Sequence, residues 1–172
     1  MPPVGTELAE PGATARPGWI RKLVETVQPL GSRADRLGAT GVFAGLSWAE
    51  LEIAATHFEE AKLERGFRLT VQGRPATTAW LILEGSALVS ADARPLRVAS
   101  RGDLLGLPSA LGASPSPETA IALSPLVGFR AREEQLRKLM AHRVIRERLL
   151  AAGGLLAPAV RQASRRRSSP AS

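Results

Sequence analysis

The stretch Gly66-Phe67-Arg68-Leu69-Thr70-Val71-Gln72-Gly73, with Ala79-Trp80-Leu81-Ile82-Leu83-Glu84-Gly85-Ser86 close behind it, sets short apolar runs between glycines. A third block, Arg101-Gly102-Asp103-Leu104-Leu105-Gly106, repeats the arrangement. Short strands punctuated by glycine turns predict an antiparallel β-roll of jelly-roll type, and argue against a helical bundle or a parallel sheet. Outward from this centre, Glu60–Glu64 alternates as a strand should, and Arg68–Val71 ends at Gln72-Gly73. Trp80–Leu83 is continuously apolar, the pattern of a strand covered on both faces. Ala87–Ser90 and Leu96–Ala99 predict a hairpin, while Thr119–Leu123 and Leu126–Phe129 complete the set. Residues 106–118 contain three prolines and two glycines and read as a long loop without strand. Loops of that length within a compact fold are usually functional.

Helical periodicity flanks the strands. Trp19, Ile20, Leu23, Val24 and Val27 form one stripe that Pro29 ends. A looser segment then leads to Val42, Phe43 and Leu46. Ser47 is placed as a helix N-cap, with Glu50 three residues on completing a capping box. The helix it opens, Trp48 to about Phe58, puts Leu51, Ala54, Ala55 and Phe58 on one face. A last long helix is predicted from about Arg132 to Ala152, stopped by Gly153-Gly154. Leu136, Leu139, Met140, Val144 and Leu150 share one side of it, with Ile145 and Leu149 nearly opposite. A helix apolar on two faces has two things to pack against. The roll is one; the other is a partner chain, or Leu155, Leu156 and Val160 folding back.

The chain has 172 residues, 44% hydrophobic and 23% charged, which is ordinary globular composition. It has no cysteine, which excludes disulfides, thiol nucleophiles and cysteine metal sites. No apolar run approaches membrane-spanning length and the first residues lack a signal pattern, so a cytoplasmic protein with no membrane contact is expected. The net charge of +7 is uneven: residues 1–18 carry −1 and residues 161–172 carry +4 from Arg161, Arg165, Arg166 and Arg167, leaving +4 between them. The basic tail is expected to be a solubilising segment able to make weak, non-specific nucleic-acid contact.

In order and spacing the motifs resemble the cyclic nucleotide-binding domain family, as in the effector domains of catabolite-activator/FNR-type regulators. Phe43-Ala44-Gly45-Leu46-Ser47-Trp48-Ala49-Glu50-Leu51 is similar to the family's opening phenylalanine-x-gly-leu-ser-x-x-glu-leu. Val71-Gln72-Gly73 matches the turn after its second strand, with Arg74 where an acid is usual, and Leu83-Glu84-Gly85 matches the turn after its central strand. Gly102-Asp103-Leu104-Leu105-Gly106 matches the step into the phosphate-binding cassette. The resemblance implies a mainly β architecture, a β-roll with N-terminal helices and a long C-terminal helix. It divides the chain into a disordered leader (1–18), a helical lead-in (19–41), the domain itself (42–152) and a Gly-Gly break with a mostly disordered basic tail (153–172).

The resemblance also locates a ligand site and questions its ligand. Its cassette positions here are Gly106, Leu107, Pro108, Ser109, Glu118, Thr119 and Ala120. In the family, a glutamate after the glycine holds the ribose hydroxyl, and an arginine before the serine or threonine and alanine clamps the cyclic phosphate through its planar fork. Here those two positions are Leu107 and Glu118, while Thr119 and Ala120 keep the pattern. Each charged hydrogen bond lost from such a bidentate pair costs roughly 1.5–3 kcal/mol. A carboxylate about 4 Å from a phosphate adds repulsion on the order of 4 kcal/mol at a surface-like dielectric. Even halved, the sum weakens binding roughly a thousandfold. Cyclic AMP and cyclic GMP are therefore not expected to bind in the family's usual way. The apolar Leu107, Pro108, Ala110 and Leu111 are expected to fill the pocket mouth; an apolar or cationic ligand, or a nucleotide in an unfamiliar pose, are the other readings.

Other chemistries find less support. Metal-dependent jelly-roll enzymes need clustered histidines, and only His57 and His142 exist here, both on predicted helices. His57, at its helix's end, is expected to be a cation favoured by the helix dipole. No base accompanies the serines in a recognisable arrangement. A helix-turn-helix module needs further helices with an apolar core, and the twenty residues after Ala152 do not suit one. The expectation is a non-catalytic regulatory or interaction module without metal or cofactor. It would act on a protein partner or a second copy through Leu136, Met140, Ile145 and Leu149, with a small-molecule ligand possible in the cassette.

Overall fold

The computed structural model describes residues 30–154. The expected leader, the Trp19 helix and the basic tail lie outside the described residues. The first described element, α1 (Leu30–Gly38), lies in the expected helical lead-in, over the part read as a looser segment. Ala34 and Leu37, three residues apart, are fully buried and give it one apolar edge. Gly38 lies tight against α2 (Trp48–His57), where a Cβ would come within 2.9 Å of Leu51 Cδ1. Arg33 donates to the carbonyls of Ala55 and Phe58 at 3.2 Å each, satisfying orphan acceptors at the end of α2. The capping box opens α2 as expected: Glu50 N–H donates to Ser47 Oγ, and Ser47 N–H donates to Glu50 Oε2 at 2.7 Å. Leu51, Ala54, Ala55 and Phe58 are buried.

Eight strands follow: β1 (Glu59–Leu63), β2 (Arg68–Thr70), β3 (Thr78–Glu84), β4 (Ala87–Ala91), β5 (Arg94–Ala99), β6 (Leu104–Leu105), β7 (Thr119–Ala122) and β8 (Leu126–Arg132). They form two four-stranded antiparallel sheets, ordered β1-β8-β3-β6 and β2-β7-β4-β5. This is the predicted β-roll. Two apolar cores divide along β3. Trp80 and Ile82 point between the sheets with Val89, Leu105, Ala120 and Leu126. Ala79, Leu81 and Leu83 point the other way, against Phe43, Phe58, Phe129 and the helices. Period-2 alternation with both faces covered is why the strand reads as one unbroken apolar run. The β4–β5 turn is tighter than expected, only Asp92 and Ala93, both at positive φ (51° and 60°).

The expected single C-terminal helix is two: α4 (Glu133–Ala141) and α5 (Arg143–Ala152), parted at His142 with φ −90° and ψ 112°. The reason lies in the two apolar faces. Leu136 and Ile145 are nine residues apart, so on a straight helix they would face opposite ways. Breaking the helix at His142 turns α5 so that Leu136, Leu139, Ile145 and Leu149 all enter the same helix-side core, each no more than 1% exposed. The loop over 106–118 also contains a short helix, α3 (Leu107–Ala110), behind Gly106 at φ +76°.

Candidate functional site

The cassette begins where β6 ends. Gly106 is fixed by crowding as well as by its positive φ, because a Cβ there would stand 3.0 Å from Thr78 O and 3.1 Å from Thr70 Cγ2. The turn throws Leu107 and Ala110 of α3 into the helix-side core, 0% and 2% exposed. Leu107, Ala110 and Leu111 therefore do not fill the pocket mouth, where they were expected; they pack in and against the helix-side core, and of the four apolar loop residues only Pro108 lines the space beside them.

That space is a cavity of about 310 Å³ lined by Arg97, Leu104, Gly106, Pro108, Ser109, Ser116, Pro117, Glu118 and the end of α5 at Ala152, Gly153 and Gly154. Of the predicted cassette residues, the structure brings Gly106, Pro108, Ser109 and Glu118 to it. Leu107 faces the helices and Ala120 lies in the core between the sheets. Thr119 does not line it either; its Oγ1 accepts from Gln72 N–H at 2.9 Å. Around Glu118 the backbone is held firmly: its carbonyl accepts from Thr70 Oγ1 at 3.0 Å and Ser116 Oγ at 2.7 Å. Ser109 is 5% exposed and accepts from Ala76 N–H at 2.7 Å, tying α3 to the β2–β3 connection.

Arg97 is the site residue that sequence reasoning missed. In the β4–β5 ladder Val89 opposes Arg97 and Ala87 opposes Ala99, and directly opposed residues share a face. Val89, Ala87 and Ala99 are fully buried, so Arg97 leaves the strand on the cavity side and lines the cavity mouth with 44% of its side chain open to solvent, while Leu96 and Val98 lie on the opposite, exposed face. The hairpin register carries this signal. Arg97 lies 3.6 Å from Asp103 Oδ2, and the same oxygen accepts from Ser100 N–H at 2.7 Å.

The cavity's remaining wall is the end of α5. Gly153 has no room for a side chain: a Cβ would meet Leu107 Cδ2 at 2.6 Å and Leu149 O at 3.2 Å. The residue standing where the resemblance implies a ribose-holding glutamate thus touches the last turn of the C-terminal helix. Of the expected interface residues, Leu136, Ile145 and Leu149 are committed to the protein's own core, and Met140 is half-buried against it. Their burial already has a partner within the chain, which revises the expectation of a second, outward apolar face.

His57 and His142 lie on the helix side, away from this cavity, and among the described residues no three side chains are grouped to hold a metal. His57 reverses its expectation. Burial lowers its pKa from the ordinary 6.5, and the nearby charges of Lys138 and His142 lower it further. Desolvation and like charge outweigh the attraction of the α2 carboxyl end. Among the described residues, no helix is long and apolar enough to cross a membrane.

Comparison with known proteins agrees with this architecture. The cyclic nucleotide-binding domain family matches residues 60–143. No curated protein sequence matches the chain. Among solved structures, the cAMP-binding acyltransferase from Mycobacterium smegmatis is similar at 28% identity and TM-score 0.55, over 71% of this chain and 39% of that one. The catabolite activator protein of Thermus thermophilus is similar at 22% identity and TM-score 0.60, over 73% and 61%. The sensor domain of the transcriptional regulator DNR from Pseudomonas aeruginosa is similar at 22% identity and TM-score 0.54, over 69% and 88%. The last two likenesses are of fold, and the chain spans about two fifths of the Mycobacterium protein. The two antiparallel sheets and the glycine-led cassette lie over the residues that match the cyclic nucleotide-binding domain family, and the fold agrees with that match.

Proposed function

We propose that this domain is a non-catalytic regulatory module whose cassette is not built for a cyclic nucleotide in the family's way. It signals through α4 and α5 to a protein partner or a second copy. The observation that carries this reading is Glu118, a carboxylate lining the cavity at the position where the resemblance implies a phosphate clamp. An anion brought there meets repulsion in place of a bidentate grip. Leu107 supports the reading from the other side. It offers the ribose position no hydrogen bond and instead packs on Gly153, so the end of α5 rests directly on the first residue of the cassette helix. Isothermal titration with cyclic AMP and cyclic GMP tests the proposal. No binding below millimolar concentration is expected, and a micromolar dissociation constant overturns it.

A second reading is a sensor for a small molecule or cyclic nucleotide that acts through the same helices. It is favoured by the open 310 Å³ cavity and by the description of the Mycobacterium smegmatis relative as cAMP-binding. A sensor must gain stability from its ligand, so a thermal-shift screen separates the two.

A further inference from the structure

The cavity contains one cationic and one anionic side chain, Arg97 from β5 and Glu118 from the loop before β7. They are not paired with each other. Among the described residues Glu118 forms no ion pair, and Arg97 forms one, the loose 3.6 Å approach to Asp103. That approach is an ion pair without a hydrogen bond, and it leaves most of the five guanidinium donors unused. Asp103 is itself held by Ser100 N–H, so it steadies Arg97 from the side of the β5–β6 turn. The rest of the lining is Leu104, Gly106, Pro108, Pro117 and the small residues at the end of α5, with two hydroxyls already engaged, Ser109 by Ala76 N–H and Ser116 by the Glu118 carbonyl.

We propose that this cavity binds a small zwitterion, an amino acid or amine-bearing acid whose carboxylate is held by Arg97 and whose ammonium is held by Glu118. The inference deepens the reading above and rests on its premise that the cassette is not a cyclic-nucleotide clamp. The argument is one of charge balance. A singly negative ligand is attracted by Arg97 and repelled by Glu118; for a singly positive ligand the two effects exchange, and in either case they largely cancel. Only a molecule with both charges is attracted by both walls at once. An aliphatic spacer between the charges suits the leucine and prolines of the lining, and a cavity of about 310 Å³ is at the small-metabolite end of ligand sites. Because Ala152, Gly153 and Gly154 form one wall, occupancy would be felt directly by α5.

Titration calorimetry and thermal shift on the full chain test this, with zwitterions graded in charge separation from L-leucine through 4-aminobutyrate to 6-aminohexanoate. Hexanoate and hexylamine serve as singly charged controls, and cyclic AMP is run alongside. At least one zwitterion is expected to raise the melting temperature saturably where hexanoate and hexylamine do not. Arg97→Gln and Glu118→Gln should each weaken it roughly ten- to a hundredfold, the loss of one charged hydrogen-bonded contact, with unchanged circular dichroism. If hexanoate or hexylamine binds as well as the zwitterions, or if no member of the series and no cyclic AMP binds, the zwitterion site is overturned while the cassette reading stands. Micromolar binding of cyclic AMP overturns both.

Discussion

Leu107 and Gly153 join the cassette to the end of the C-terminal helix pair. Their contact is possible only because one partner lacks a Cβ, and Leu107 is fully enclosed and has little freedom to retreat. Gly153→Ala is therefore expected to cost about 1–2 kcal/mol through overpacking. The cost should shrink in a Leu107→Ala background, where the space is free; additive thermal denaturation data would contradict this. His57 makes the second prediction at this scale. Its folded pKa lies below the ordinary 6.5, so the unfolded chain takes up the proton first as the pH falls. This contribution to stability is intact above about pH 6.5 and lost as the pH drops through the folded value. The difference in melting temperature between pH 7.5 and pH 5.5 should be smaller in His57→Gln. Leu107 and Glu118 were legible as departures from the family's cassette. Their surroundings were not, because the direction of Leu107 depends on the φ of Gly106 and on a helix end about forty-five residues away.

Elements show the same division. β3 could be read from composition because both of its faces are buried, and α2 from a capping box whose two hydrogen bonds need only residues three apart. α1 was legible only as part of a helical lead-in, without its bounds: its buried stripe is short, and much of what fixes it is tertiary, Gly38 under Leu51 and Arg33 on the α2 carbonyls. The break at His142 likewise answers to the core, since no proline or glycine marks it. The β4–β5 turn has a cost that can be tested. A two-residue turn with both φ values positive is the type that favours asparagine and glycine, and here it holds Asp92 and Ala93. Asp92 is supported by Gln72, whose Oε1 accepts its N–H at 2.8 Å, but Ala93 has only its backbone strain. Ala93→Gly should therefore stabilise the domain by about 1 kcal/mol, read from the denaturation midpoint.

At the scale of the whole molecule, the helices and the roll are one cooperative body. The helix-side core joins Phe43, Phe58, Phe129, Leu136, Ile145 and Leu149, residues from four separate stretches of chain. Phe58 stands between Phe43 and Phe129 at ring-centroid distances of 5.8 and 6.2 Å. A charge introduced into α5 thus strikes the fold before it can strike any association. Ile145→Asp buries a carboxylate without a partner and should cost on the order of 4 kcal/mol, seen as loss of a cooperative melt. A well-folded variant with altered mass in solution would contradict this. The placement of β5 has a kinetic corollary. As the outermost strand of its sheet it is hydrogen-bonded to β4 alone, yet it carries the guanidinium that faces the cavity. Brief fraying of β5 from β4 would uncover the chamber while withdrawing only Ala99 from the core between the sheets, so a guest could come and go through a swinging panel, far faster than the domain unfolds.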